Sequence, residues 1–406
     1  MPRAALETRV EAFVAIMSGY SPLLYLGGCR SSLPLACAGT EHAALLSALG
    51  MSVRGVRVRT SPPSHLVNNR ESMTNRRTYW DYLRVPELLG AQQPVTDHHD
   101  EMQFIVVHQI HELWFKLILH ELVHVRDILA ARDVSELQLV RAHHYLARVN
   151  VVWGIMVQQI HVMETMRPVD FLAFRDALAP ASGFQSLQLR LIETLAGLTE
   201  DQRITYGGQD YRTFAGFPCE MINQIDEIFA RGSLRDLLMP FLSQIPIADR
   251  DRDVVRTRSL ACGLQIEAQL SHMFSTEGLS RDRVTDRVIK EQGERAERER
   301  RLRELVDSRG FQAMLAIYTW PERFALAYQV CEDLIAFEQS FILWRMHHVR
   351  TVERFIGKKT GTAGSTGVSY LEKTACYRIF EDLWTVRTLL IHPGEPEACQ
   401  DPCVSR

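Results

Sequence analysis

From Thr78 onward, apolar residues return at every third or fourth position, the spacing of one face of an α-helix. The stretches 98–130, 136–166, 186–200, 218–242, 248–275, 280–305, 321–356 and 370–391 all carry this pattern, and each predicts a helix. Strict apolar–polar alternation bounded by turn residues, the mark of a half-buried strand, is essentially missing. Pro94, Pro168, Pro180, Pro218 and Pro321 fall near or between the predicted helix starts, where a fixed φ and a missing N–H are tolerated. The pattern therefore predicts an all-α fold. Residues 1–72 mix Gly, Ser, Ala and Pro without clean periodicity and predict a poorly ordered or mis-assigned extension, with Met73 as the working start. Within it LPLACAGT resembles a leader cleavage site, but Ser, Gly, Pro and Arg break the apolar segment before it. The expected organisation is the extension 1–72, a helical domain 73–392 and a tail 393–406. DRVIKEQGERAERERRLREL, residues 286–305, reads as a solvated helix face.

Two of the predicted helices carry chemistry. HQIHELWFKLILHELVH, from His108 to His124, places Phe104, His108, His111, Glu112 and Phe115 within about 60° of His108 on a helical projection. The other faces hold Val106, Leu113, Trp114, Leu117 and Ile118, so this helix is expected to be buried nearly all round. His120-Glu121-Leu122-Val123-His124 matches the zinc-peptidase HExxH spacing, with Glu121 as base. Its longer form fails, because Asp127 and Ala130 stand where Gly and His are required. In the second helix, LIAFEQSFILWRMHHVRTVERFI (334–356), Phe337, Phe341, Trp344, Val352 and Phe355 share one stripe within about 40° of His348. An imidazole centred on such a stripe is costly unless its nitrogens find partners. A haem iron is one partner and a backbone carbonyl is another; the residues alone leave both open. His347 lies about 100° round, towards the flank. Gly361-Thr-Ala-Gly-Ser-Thr-Gly367 follows a helix and not a strand, so it reads as a hydroxyl-rich loop near a ligand or a plain connection, not a phosphate cradle.

Composition narrows the field. With 406 residues, 46% of them hydrophobic, the chain can bury a large core. A net charge of −3 offers no electrostatic case for nucleic acid or membrane binding. No apolar run approaches the ~20 residues of a membrane helix. The eight cysteines show neither CxxC nor CxxCH spacing, which argues against a disulfide framework, a zinc ribbon and a covalently tethered haem, and for the reducing cytoplasm.

Taken together, Tyr79-Trp-Asp-Tyr82-Leu83, HDEMQFIVVHQ (99–109), ELWFKLILHEL (112–122), FLAFRDALAPASGFQSLQLRLIE (171–193), LWRMHHVRTVERFIG (343–357) and GTAGSTG (361–367) resemble the tryptophan 2,3-dioxygenase family, in family order. The resemblance overrides the zinc reading. It implies a helical bundle enclosing a b-type haem, and cleavage of the indole C2–C3 bond of L-tryptophan by O2 to N-formylkynurenine. The alternative it leaves is single-atom oxygenation of tryptophan or a substituted tryptophan to an oxindole-type product. By position, His348 corresponds to the proximal haem ligand and His108 to the distal histidine facing the indole N–H. Phe104 corresponds to a wall of the indole pocket, Arg175 to the carboxylate anchor and Thr362 to the residue near the substrate ammonium; Ser182 belongs to the same substrate-binding set. Tyr79, Tyr82 and Leu83 correspond to a segment that completes a neighbouring subunit's pocket, which implies a homotetramer. The chain departs from the family at Ile110-His111 and Ala363, while Phe171 is one of two aromatics found there. His111 shares the helix face of His108 and is expected to alter polarity near the haem.

Overall fold

The computed structural model describes residues 77–390 except 134, 205–210, 276–294 and 362–366, and leaves aside the side chains of 214 and 269–275. The chain divides into two compact units, Met1–Tyr79 and Trp80–Arg406. The extension 1–72, the tail 393–406, Thr362, Ala363 and the first part of the charge run lie outside the described residues.

Every regular element among the described residues is helical, as the pattern predicts. Two short helices, α1 (Tyr79–Leu83) and α2 (Val85–Leu89), precede the long α3 (Glu101–Leu129) and α4 (Glu136–Met163). There follow α5 (Pro168–Arg175), α6 (Leu187–Ala196), α7 (Tyr211–Ala215), α8 (Cys219–Arg231) and α9 (Leu234–Ser243). Then come α10 (Asp249–Ser275), α11 (295–307), α12 (Arg309–Thr319), α13 (Ala325–Ile356), α14 (Val368–Thr374) and α15 (Glu381–Thr388).

The start signals are local. Ser135, Ser233, Ser186 and Ser308 each accept a backbone N–H of the first turn, and the first two close full capping boxes with Gln138 and Asp236. Pro168 occupies the first position of α5. Glu101 fixes the entry to α3: fully buried, it accepts the backbone N–H groups of Val95 and Thr96 at 2.7 and 2.8 Å.

The frame is three long helices, with α4 packed along both α3 and α13. One apolar core runs through them and includes Ile118, Leu122, Trp153, Phe311, Phe337 and Phe341. A second, smaller cluster of Val107, Met163, Met166, Phe171, Phe174, Phe355 and Ile356 joins the ends of α3, α4, α5 and α13.

Three expectations change. The stretch 218–242 is two helices, because Gly232 adopts φ 81° and Ser233 starts a new N-cap. The stretch 370–391 breaks between Thr374 and Glu381, where the Phe380 N–H donates to the buried Glu338 carboxylate at 3.0 Å instead of to a helical carbonyl. The helix α3 is not buried all round: Met102, Leu113, His120 and His124 are exposed. The described part of the charge run is a solvated face, as expected, laced by pairs such as Arg295–Glu299 and Arg301–Glu297.

One buried ionic cluster interrupts the core. Glu193 of α6 pairs with Arg190, one turn earlier, with Arg203, and with Arg345 of α13. All four residues are under a tenth exposed. Burial opposes the charge on Glu193, but the three guanidiniums hold its carboxyl down to about 2.

Candidate active site

The second apolar cluster surrounds a cavity of about 290 Å³. Among the elements that wall it are α3, through Phe104, His108, His111, Glu112 and Phe115; α5, through Phe171 and Arg175; the Ser182–Phe184 turn; and α13, from Trp344 to Ile356, with α4, α6 and α14 closing the rest. Helical periodicity explains the convergence: residues three and four apart on α3 and α13 each present one stripe to the same space.

Aromatic rings form the apolar wall. The Phe104 ring lies 4.1 Å from His108, 5.7 Å from Phe171 and 5.9 Å from Phe174 between centroids. Phe171 in turn meets Phe355 at 5.3 Å. Flat, apolar and lined by rings, this wall suits a planar aromatic ligand.

Three histidines face the cavity. His108 and His111 each donate Nδ1–H to the carbonyl one turn before, Phe104 O at 2.7 Å and Val107 O at 2.8 Å, so in the neutral ring Nδ1 carries the proton and Nε2 is an acceptor. Among the described residues His348 has no hydrogen-bond partner; its ring stacks on Trp344, 5.5 Å away and 6° from parallel. Both it and His108 line the cavity. Burial holds His108 and His111 below the ordinary imidazole value and pushes His348 down to about 4, with His108, His111 and Arg345 adding to that last shift. All three are neutral at neutral pH. His347 does not line the cavity; its ring meets His161 edge-on at 5.8 Å.

Arg175 reaches the rim, where its Nη2 donates to the Thr360 carbonyl. The glycine loop begins one residue later, and its two flanking residues, Gly361 and Gly367, both line the cavity. Ser182 lines it as well, and its hydroxyl accepts the Phe184 N–H as a cap of the short 3₁₀ turn. Tyr79, Tyr82 and Leu83 are exposed, at 70, 70 and 46% of their full area, and are not among the lining residues.

The HELVH segment is not assembled as a metal site. Glu121 is buried and bound to Arg148, His120 and His124 are exposed, and His124 Nδ1 contacts the His120 carbonyl at 2.7 Å. Among the described residues no group of three metal-ligating side chains forms.

The sequence pattern placed Trp344 on the His348 stripe and Glu112 on the His108 face without giving either a role, and it did not single out Arg190 and Arg345. Glu112, whose Oε2 accepts from Gln188 Nε2 at 2.8 Å, was visible only as a neighbour of His108 on the helical projection. A charged pair at Arg190 and Glu193 inside a helix whose other positions are mostly apolar was the one available signal for the arginines.

Such a site defines a helical protein with an apolar, aromatic-walled pocket, a partnerless neutral histidine and a guanidinium at its mouth. The comparisons with known proteins agree with it. The family model described as tryptophan 2,3-dioxygenase matches residues 64–239 and 265–390. Similar proteins include the tryptophan 2,3-dioxygenase of Sorangium cellulosum, 36% identical over 80% of this chain and 86% of its own length. A second is tryptophan 2,3-dioxygenase 2 of Ralstonia nicotianae, 36% identical over 77% and 93%. That of Anopheles gambiae is 31% identical over 77% and 85%. The chain belongs to the tryptophan 2,3-dioxygenase family.

The family implies a haem, and the residues present fit one. His348 is a neutral imidazole without a partner, and its neighbours in the cavity are rings and aliphatic side chains that accept a porphyrin face.

Proposed function

We propose that this protein is a haem-dependent oxygenase that adds both atoms of O2 across the indole C2–C3 bond of L-tryptophan, giving N-formylkynurenine. The observation that carries the reading is the company of His348: a partnerless neutral imidazole shares one apolar cavity with Phe104, His108 and Arg175. His348 would hold the iron of a haem b, non-covalently since no CxxCH tether exists. Bound ferrous haem supplies the redox chemistry that makes O2 reactive.

The protein's own part is placement. Phe104 and Phe171 pack the indole ring. His108 accepts the indole N–H at Nε2, because its Nδ1 is engaged with the Phe104 carbonyl. Arg175 grips the substrate carboxylate through two parallel N–H donors, a match that a planar guanidinium provides and an ammonium does not. By its match to the family pattern Thr362, outside the described residues, is assigned to the substrate ammonium, and Ser182 to the same substrate-binding set. In the present arrangement Arg175 Nη2 donates to the Thr360 carbonyl, which leaves the rest of its fork for the carboxylate. Together these contacts hold the C2–C3 bond in a single attitude in a water-poor pocket, a proximity effect.

Tyr79, Tyr82 and Leu83 complete the pocket of a neighbouring subunit in a homotetramer; their exposure in the single chain supports this. We assign catalysis to 73–392 and no catalytic part to 1–72 or 393–406. Among the described residues Cys219, Cys331 and Cys376 form no disulfide, in keeping with the cytoplasmic location proposed here. No described helix is long and apolar enough to cross a membrane.

The test is to supply the reduced enzyme with L-tryptophan and heavy-isotope O2 and to weigh the product. Two heavy oxygens are expected; one or none overturns the reading. Arg175→Lys should weaken apparent affinity for tryptophan by about 2–5 kcal/mol. Binding of an indole without the amino-acid end should hardly change.

A further inference from the structure

The buried charges around Glu193 do not balance. Three guanidiniums, those of Arg190, Arg203 and Arg345, close on this one carboxylate, leaving two positive charges over. Both carboxylate oxygens are already taken. Oε1 accepts from Arg190 Nη1 at 2.9 Å and from Arg345 Nη2, and Oε2 accepts from Arg190 Nη1 at 2.9 Å and Arg203 Nη1 at 2.6 Å. Among the described residues no second carboxylate lies within 4.0 Å of these guanidiniums. Unpaired charge in a protein interior is expensive, so a buried excess of this kind calls for an anion.

The unused donors say where that anion sits. The Nε atoms of Arg190, Arg203 and Arg345 are buried without a hydrogen-bond partner. Among the described residues the Arg190 guanidinium hydrogen-bonds only to Glu193, and so does that of Arg345. Arg203 spends its remaining Nη2 on Thr194 and stays outside the cavity lining, whereas Arg190 and Arg345 both line the cavity that holds His348. Arg345 stands three residues before His348 on α13, and the Arg190 guanidinium lies 5.9 Å above the Phe184 ring at the cavity wall.

We propose that Arg190 and Arg345 form a carboxylate-binding end of this cavity and receive the two propionate groups of haem b, whose pair of negative charges equals the uncompensated pair around Glu193. The inference rests on the haem reading above. It separates the labour of the arginines: Arg175 takes the carboxylate of the substrate, Arg190 and Arg345 those of the cofactor.

The experiment compares haem with its dimethyl ester, which keeps the porphyrin and the iron but carries no propionate charge. Full-length protein is loaded with each cofactor, the Soret band is recorded, and release into excess apomyoglobin is timed. The ester should leave the unaltered protein roughly tenfold or more faster than haem, as loss of a charge-assisted hydrogen bond requires. Arg190→Gln and Arg345→Gln should each speed release of haem and leave release of the ester nearly unchanged. Equal release of haem and ester from the unaltered protein would overturn the proposal, as would substitutions that speed both alike, since that is the mark of a role in folding only. If neither variant folds, the comparison on the unaltered chain decides alone. A protein that takes up neither cofactor would overturn the haem reading itself, and this proposal with it.

Discussion

At the scale of the residue, what distinguishes His348 from His347 is the surface each one meets. Adjacent on α13, they differ by about 100° in projection. His348 faces the cavity without a hydrogen-bond partner, while His347 faces His161. His348→Ala is therefore expected to yield protein without a Soret band, and His347→Ala protein with normal haem content; absorption spectra of the purified variants check this, and the reverse order would shift the ligand assignment. The stripe from Phe337 to Phe355 made His348 visible in the sequence, because a single histidine at its centre breaks an apolar face. Arg175 and Ser182 could be located only through the resemblance, since a guanidinium at the end of an eight-residue helix looks like any surface arginine. Arg190 and Arg345 were invisible as a pair: they come from helices about 150 residues apart, and no periodicity links them.

At the scale of the element, close approach and buried charge set the tolerances. Gly310, in the first turn of α12, lies against α9 so closely that a Cβ would sit 2.5 Å from the Met239 carbonyl oxygen. Backbone cannot give way as a flexible side chain can, so Gly310→Ala should force the two helices apart and destabilise by about 1–3 kcal/mol, measured as a shift in the denaturant midpoint. Glu193 supplies a pH test. Its folded pKa is lowered to about 2, below the ordinary value of 4.5, so its contribution is fully present above about 4.5 and is lost as pH falls towards 2. Glu193→Gln should thus be destabilised at neutral pH, by about 3–5 kcal/mol if it behaves as a broken buried pair, and the gap to the unaltered protein should narrow progressively below pH 4.5. Unfolding measured across that range checks it; a constant gap would show that the carboxylate charge is not what matters. The same scale explains the helix that the pattern missed. From Gly310 to Ile317 every residue of α12 is buried, so there is no polar face to generate a period.

At the scale of the whole molecule, apolar side chains at the amino-terminal end of the described chain remain uncovered. Tyr79, Trp80, Tyr82, Leu83, Leu88 and Leu89 are all exposed, which a single copy in water does not favour. If this segment completes a neighbouring pocket, native mass spectrometry should find four copies. Tyr82→Ala should then raise the KM for tryptophan while leaving haem content intact; an unaltered KM would remove the segment from the site. Spacing of apolar residues along the chain was enough to specify an all-helical fold and the faces that turn inward, because helical periodicity is a local property written at every third and fourth position. It also marked two of the three cavity histidines as unusual, His108 by its aromatic neighbours and His348 by its stripe. It did not specify which buried helices meet, where Gly232 and Phe380 interrupt them, or that three arginines share one carboxylate. Those depend on contacts between residues far apart in the chain, and only packing of α3, α4, α5 and α13 brings Phe104, His108, Arg175 and His348 around one space.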